Sequence, residues 1–129
     1  MPLSQYPKDS LTTVSTHDSL PLALWWQNHP EEAKDFSSFL KIPYEESLSH
    51  ENLFAILKKS HHTSSLYHIN LLQEYLGLIP ELTWQNLKAE RINVPGTISP
   101  SNWTYRYKIS IEEMIDHPKL SLFLSELIS

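Results

Sequence analysis

The sequence predicts an α/β chain that is incomplete as a fold. Three observations carry this. Two strand-like runs, Leu11–Ser15 and Leu66–Leu71, are rich in β-branched and apolar residues. The segments between and after them have helical spacing, so the order is strand, helices, strand, helices, the pattern of an alternating α/β architecture. Two strands alone make a marginal sheet, so the strands need further neighbours to be covered.

Each element has a local reason. Residues 1–10 are polar with two prolines and read as a loop. Leu11–Ser15 is a short buried strand after a turn at Pro7–Ser10. Ser19 and Pro21 are helix-start chemistry, so a short helix is predicted over Leu20–Asn28. A second helix starts at His29-Pro30 with acids in its first turn and ends by Pro43; Phe36, Phe39 and Leu40 mark its buried face. Ser49 caps a third helix, with Leu53, Phe54, Ile56 and Leu57 inward and Lys58-Lys59 at its negative end. His61–Ser65 breaks the pattern before the second strand.

Leu72–Leu76 is a turn of helix closed by Gly77. Pro80–Arg91 is ambiguous, with Leu82, Trp84 and Leu87 as candidate anchors of a short helix. Ile92–Pro100 is a loop. Asn102–Ile109 alternates aromatic and polar residues, the period of a strand or of an extended surface segment. Ser110 caps a helix carrying Glu112 and Glu113, and Lys119–Ile128 is the last helix.

Composition narrows the function classes. The 129 residues suit one domain, with 40% hydrophobic and 19% charged residues, as in ordinary globular chains. Ten Lys and Arg against 15 Asp and Glu give a net charge of −5, and no basic stripe marks a nucleic-acid partner. Without cysteine there is no disulfide framework, thiol nucleophile or cysteine metal site. No run is apolar and long enough for a membrane span, and no signal pattern opens the chain; a cytoplasmic protein without membrane partners is expected. Two glycines leave no phosphate-cradling loop.

Chemistry concentrates at Thr16-His17-Asp18. This tripeptide lies at the predicted strand-to-helix junction, where α/β proteins carry their reactive groups. An Asp there also serves simply as a helix cap. His61, His62 and His68 do not have metal-ligand spacing, and no metal or cofactor is expected. No G-x-S-x-G elbow supports a serine hydrolase. Four tryptophans, Trp25, Trp26, Trp84 and Trp103, read either as core or as flat faces that stack on sugar rings.

Several blocks resemble the 4-α-glucanotransferases, the amylomaltases or disproportionating enzymes. Ser15–Trp26 is similar to that family's Thr-His-Asp block followed by an aromatic pair. Leu72–Leu78 resembles "LQDLLGL", Glu90–Thr97 resembles "RxNxPGT", and Asn102-Trp103 resembles the closing "NWRxR". The resemblance runs from about residue 11 onward. Two positions depart: Ala23-Leu24 stands where the family has Arg-Gly, and Thr104 replaces the first Arg of "NWRxR".

The resemblance implies an α/β fold in which residues 11–129 form the C-terminal portion of a (β/α)₈ TIM barrel, about its last two strands with their helices. It implies transfer of α-1,4-glucan segments to a glucose or glucan acceptor with retention. Retaining chemistry uses a nucleophile and an acid/base carboxylate about 5–5.5 Å apart. By motif, Asp18 is a third, transition-state-stabilising catalytic carboxylate. His17, Asn93, Trp26, Asn102 and Trp103 are substrate contacts. A whole barrel takes about 250 residues, so the other two carboxylates are expected outside this chain. The chain alone is expected to be inactive, with maltooligosaccharides and the remainder of the enzyme as partners. A non-catalytic α-glucan-binding or complementation module is the alternative.

Overall fold

A computed structural model describes residues 1–129. Its only sheet is a parallel pair, β1 (Leu11–Thr12) and β2 (Tyr67–His68), in register Leu11 with Tyr67 and Thr12 with His68. Three helices cross between them: α1 (Leu22–Asn28), α2 (Pro30–Leu40) and α3 (His50–His61). After β2 come α4 (Leu72–Leu76), 3₁₀ turns at Pro80–Leu82 and Leu87–Glu90, α5 (Ile111–Ile115) and α6 (Pro118–Ile128). A further 3₁₀ turn, Leu3–Gln5, lies within the segment predicted as loop. No helix is long and apolar enough to cross a membrane.

The helices begin where their chemistry dictates. Pro30 occupies the first turn of α2, with Glu31 and Glu32 beside it. The Ser49 side chain accepts from the Asn52 N–H, and Ser110 and Glu113 form a capping box. α1 is an exception. No side chain of its own segment caps it; Ser19 instead closes a local turn, and the Leu22 N–H is taken by Glu74 at 2.9 Å. α2 stops at Leu40 because Lys41 turns left-handed, at φ 58°.

Both predicted strands are shorter than their apolar runs. Beyond Thr12 no backbone partner continues the ladder. Val14 N–H goes to the Asn70 side chain at 3.0 Å instead, and Thr13 Oγ1 bonds the Ser15 carbonyl. Of the two readings open at Asn102–Ile109, the strand does not form. No neighbouring strand reaches it, and Trp103 takes φ 64°, which breaks an extended backbone. Gly77 closes α4 as expected but is right-handed, at φ −59°. Its lack of a side chain serves close approach: a Cβ there would lie 3.1 Å from Leu53 Cδ2 and 3.2 Å from the Glu74 carbonyl.

The core lies between the helices. Trp26, Leu57, Leu76, Ile79 and Leu127 are almost fully buried, and α3 packs on α6. The sheet pair is left open: Leu11, Leu66, Tyr67 and Ile69 are all more than half exposed. The accessible surface is 8239 Å², against about 7,000 Å² for a closed monomer of this size.

Candidate active site

Thr16, His17, Asp18 and Ser19 form one β-turn between β1 and α1, closed by Ser19 N–H to the Thr16 carbonyl at 3.1 Å. The Ser19 hydroxyl locks it, accepting from Thr16 N–H at 2.9 Å. His17 and Asp18 are thus the two central residues. They lie five and six residues past the end of β1, not at its tip as the strand prediction had it. Both side chains are about half exposed, at 52% and 51%. Asp18 caps no helix. Its Oδ1 accepts from Asn93 Nδ2 at 2.8 Å, and its Oδ2 is 3.5 Å from His17 Nε2.

The second half of the site comes from residues 91–103. Asn93 N–H donates to the His17 carbonyl at 3.2 Å, which ties the two segments by backbone as well as side chain. The loop then turns at Val94–Thr97, where Pro95 sets the first corner and Gly96 supplies φ 76° at the second. Trp103 N–H returns to the Ile92 carbonyl at 2.9 Å. Trp103 is 63% exposed, and its indole lies 5.2 Å from the His17 ring, tilted by 43°. A tryptophan at positive φ costs about 1–3 kcal/mol, a strain that clusters at functional sites.

Four of the six predicted site residues therefore meet: His17, Asp18, Asn93 and Trp103. Asn102 adjoins them, but its amide is spent on the loop. Its Oδ1 accepts from Val94 N–H at 3.2 Å, and its Nδ2 donates to Thr97 at 3.3 and 3.1 Å. It braces the turn. Trp26 is a correction: it is fully buried, its Nε1 donates to the Glu45 carbonyl at 2.8 Å, and it stacks on Tyr44. A residue closed off in the core touches no substrate. Trp25 packs edge-on to Phe36, and Trp84 donates to the Arg106 carbonyl, so Trp103 is the one indole presented beside Asp18.

Sequence reasoning missed the buried polar residues behind the site, namely Gln73, Glu74 and Glu90. Burial pushes the Glu74 carboxyl up from its usual range, against the opposing pull of Ser15 and the Leu22 N–H. Burial, with the Glu90 carboxylate next, also pushes the Tyr105 hydroxyl up. The available signal was a Gln-Glu pair inside an otherwise apolar stretch, Leu71 to Leu76. The histidines form a separate hydrogen-bonded group: His61 Nε2 meets Tyr75 Oη at 2.8 Å, and His68 Nδ1 meets the Ser60 carbonyl at 2.7 Å.

Comparison with known proteins places the chain in a family. The family model described as 4-alpha-glucanotransferase matches residues 1–111. A 4-alpha-glucanotransferase of Chlamydia muridarum is 54% identical over 98% of this chain, and one of Chlamydia pneumoniae is 46% identical over all of it. In both cases the chain spans 24% of the relative's length. Among solved structures, the amylomaltase of Streptococcus agalactiae in complex with acarbose superposes with a TM-score of 0.69. That match has 21% identity and covers 96% of this chain and 22% of the other, and it shows likeness of fold. The chain belongs to the 4-alpha-glucanotransferase family.

Proposed function

We propose that this chain supplies one wall of a 4-alpha-glucanotransferase active site and acts only when the rest of the catalytic fold is joined to it. The observation that carries the reading is the convergence of Asp18, His17, Asn93 and Trp103 on one exposed patch. They come from segments 75 residues apart, joined by the Asn93–Asp18 hydrogen bond. Residues 11–129 are then a segment of a (β/α)₈ barrel, with β1 and β2 as two adjacent parallel strands. The parallel register supports this, as does the site's position in the loops that follow the strands.

In this reading the substrate is an α-1,4-glucan, and the neighbour solved with acarbose supports an oligosaccharide ligand. Asp18 accepts hydrogen bonds from the hydroxyls of the sugar under attack and offsets positive charge as the oxocarbenium-like transition state develops. Asn93 holds Asp18 and has a second N–H to offer the same sugar. His17 and Trp103 present adjacent flat faces. The nucleophile and the acid/base that make retaining transfer possible belong to the three quarters of the relatives that this chain does not span. The same reading assigns the protein to the cytoplasm.

The open sheet gives the alternative a specific footing. Leu11, Leu66, Tyr67 and Ile69 are exposed beside unpaired strand edges, so a complementing polypeptide has a surface to cover. One experiment separates the readings. Residues 1–129 are joined to the part of the C. muridarum relative that they do not match, and disproportionation of maltotriose is followed. The fusion should turn over while the isolated chain stays at background. Turnover by the isolated chain would overturn the proposal. A folded, acarbose-binding but inactive fusion would favour a binding module.

A further inference from the structure

Two adjacent side chains on α4 reach the two segments that build the site. Glu74 Oε1 accepts from Ser15 Oγ at 2.6 Å and from Leu22 N–H at 2.9 Å. Those residues flank the turn that carries His17 and Asp18 on both sides. Gln73 Nε2 donates to the Glu90 carbonyl at 2.6 Å. The Glu90 carboxylate in turn accepts from Trp84 N–H at 2.7 Å and from Tyr105 Oη at 2.8 Å. Glu90 stands three residues before Asn93, and Tyr105 two residues after Trp103.

Gln73, Glu74 and Glu90 are each about 95% buried. Burying a carboxyl group is costly unless its oxygens are hydrogen-bonded. An apolar side chain at 74 would leave the Ser15 hydroxyl and the Leu22 N–H without a partner.

We propose that Glu74 is a positioning residue for Asp18, and that Gln73 does the same for Asn93, so that α4 sets the spacing at which the Asn93–Asp18 hydrogen bond forms. The consequence for glucan transfer rests on the function proposed above, whereas the spacing role itself does not. The bond between Asn93 Nδ2 and Asp18 Oδ1 is the natural readout, because neither residue touches α4 through a hydrogen bond of its own.

The test uses the whole chain, labelled with ¹⁵N and followed by NMR. The Asn93 side-chain amide reports its bond to Asp18, and exchange of the Asn93 backbone N–H reports its bond to the His17 carbonyl. Glu74→Leu should move the side-chain signals toward free-amide positions. It should also speed the backbone exchange by about tenfold, the order set by losing one hydrogen bond. Glu74→Gln keeps an oxygen acceptor and should retain the wild-type signals.

Leu40→Ala, in the core at the far end of α2, controls for general loss of stability and should leave the Asn93 signals in place. The proposal is overturned if Glu74→Leu leaves Asn93 unchanged, if Leu40→Ala shifts it equally, or if Gln behaves as Leu does. Where Glu74→Leu does not fold, Ser15→Ala removes one of the two bonds and is read in the same way: a shifted Asn93 amide supports the role and an unshifted one rejects it. No turnover is measured, so failure here is distinct from failure of the transferase reading.

Discussion

Replacing Asp18 with Asn separates a catalytic carboxylate from a structural one. The side chain is 51% exposed, with one hydrogen bond to Asn93 and a 3.5 Å approach to His17. Exposed pairs of this kind contribute about 0–1 kcal/mol to stability. Asn also retains an oxygen that accepts from Asn93 Nδ2. The melting temperature of the chain should therefore move by no more than about 4 °C. Transfer is a different matter. A preorganised charge facing a developing cation is worth about 3–4 kcal/mol, which is about 10²–10³-fold in rate. The assays are thermal unfolding of the chain by circular dichroism and glucose release from maltotriose by the fusion described above. A fusion carrying Asp18→Asn that keeps its rate within a few-fold would refute the role. So would a collapse in the chain's stability, which would make Asp18 structural.

Three further outcomes follow from other parts of the molecule. Trp26→Ala should cost about 3–5 kcal/mol in urea unfolding, as expected for a buried aromatic, because the side chain is fully enclosed and bonds the Glu45 carbonyl. Gly96→Ala should cost about 1–2 kcal/mol although a Cβ there meets nothing, since the penalty lies in φ 76° alone; the same unfolding assay measures it. His61 makes stability depend on pH. Burial first, then the His68 and His62 imidazoles, hold its pKa below the usual 6.5. The unfolded chain therefore takes up the proton first as pH falls, so stability is full above about pH 6.5 and declines below it. His61→Gln should flatten part of that decline when urea midpoints at about pH 7.5 and about pH 5.5 are compared.

Elements with strong local signals were legible from the sequence. Pro30, Ser49 and Ser110 each stand at a helix start, because caps and proline act within one turn of chain. The two strands were legible from their apolar runs, but their lengths and their parallel pairing were not. Strand length is decided by what lies alongside, and only β1 and β2 pair here. The alternation at Asn102–Ile109 met the same limit: period two describes faces, and a ladder still needs a neighbour. Ser19 carried a capping signal, yet its hydroxyl closes the Thr16–Ser19 turn while Glu74 caps α1 from 52 residues away. Trp26 belonged to a family block yet is core, since the block records both packing and contact. Asp18, His17, Asn93 and Trp103 were singled out by motif and lie together in the fold, whereas the buried polar residues behind them came only from the fold.

The open sheet and the placement of the site have one cause. Where strands continue on both sides, backbone ladders fix the loops at their ends. Here β1 stops at Thr12, and the next residues are held by side chains: Asn70 on Val14, then Glu74 on Ser15 and Leu22. Side-chain bonds can be lost one at a time, so the Asp18 turn depends on a few buried polar atoms rather than on a continuous ladder. That makes the turn sensitive to what covers Leu11 and Tyr67. A polypeptide that added strands beside β1 and β2, the complementing partner of the alternative proposed above, would cover that exposed apolar surface, favourable by about 25 cal/mol per Å². In the function proposed above, docking and ordering of the Asp18 turn are thereby coupled, because β1, which leaves Leu11 exposed, leads directly into the segment that carries Asp18.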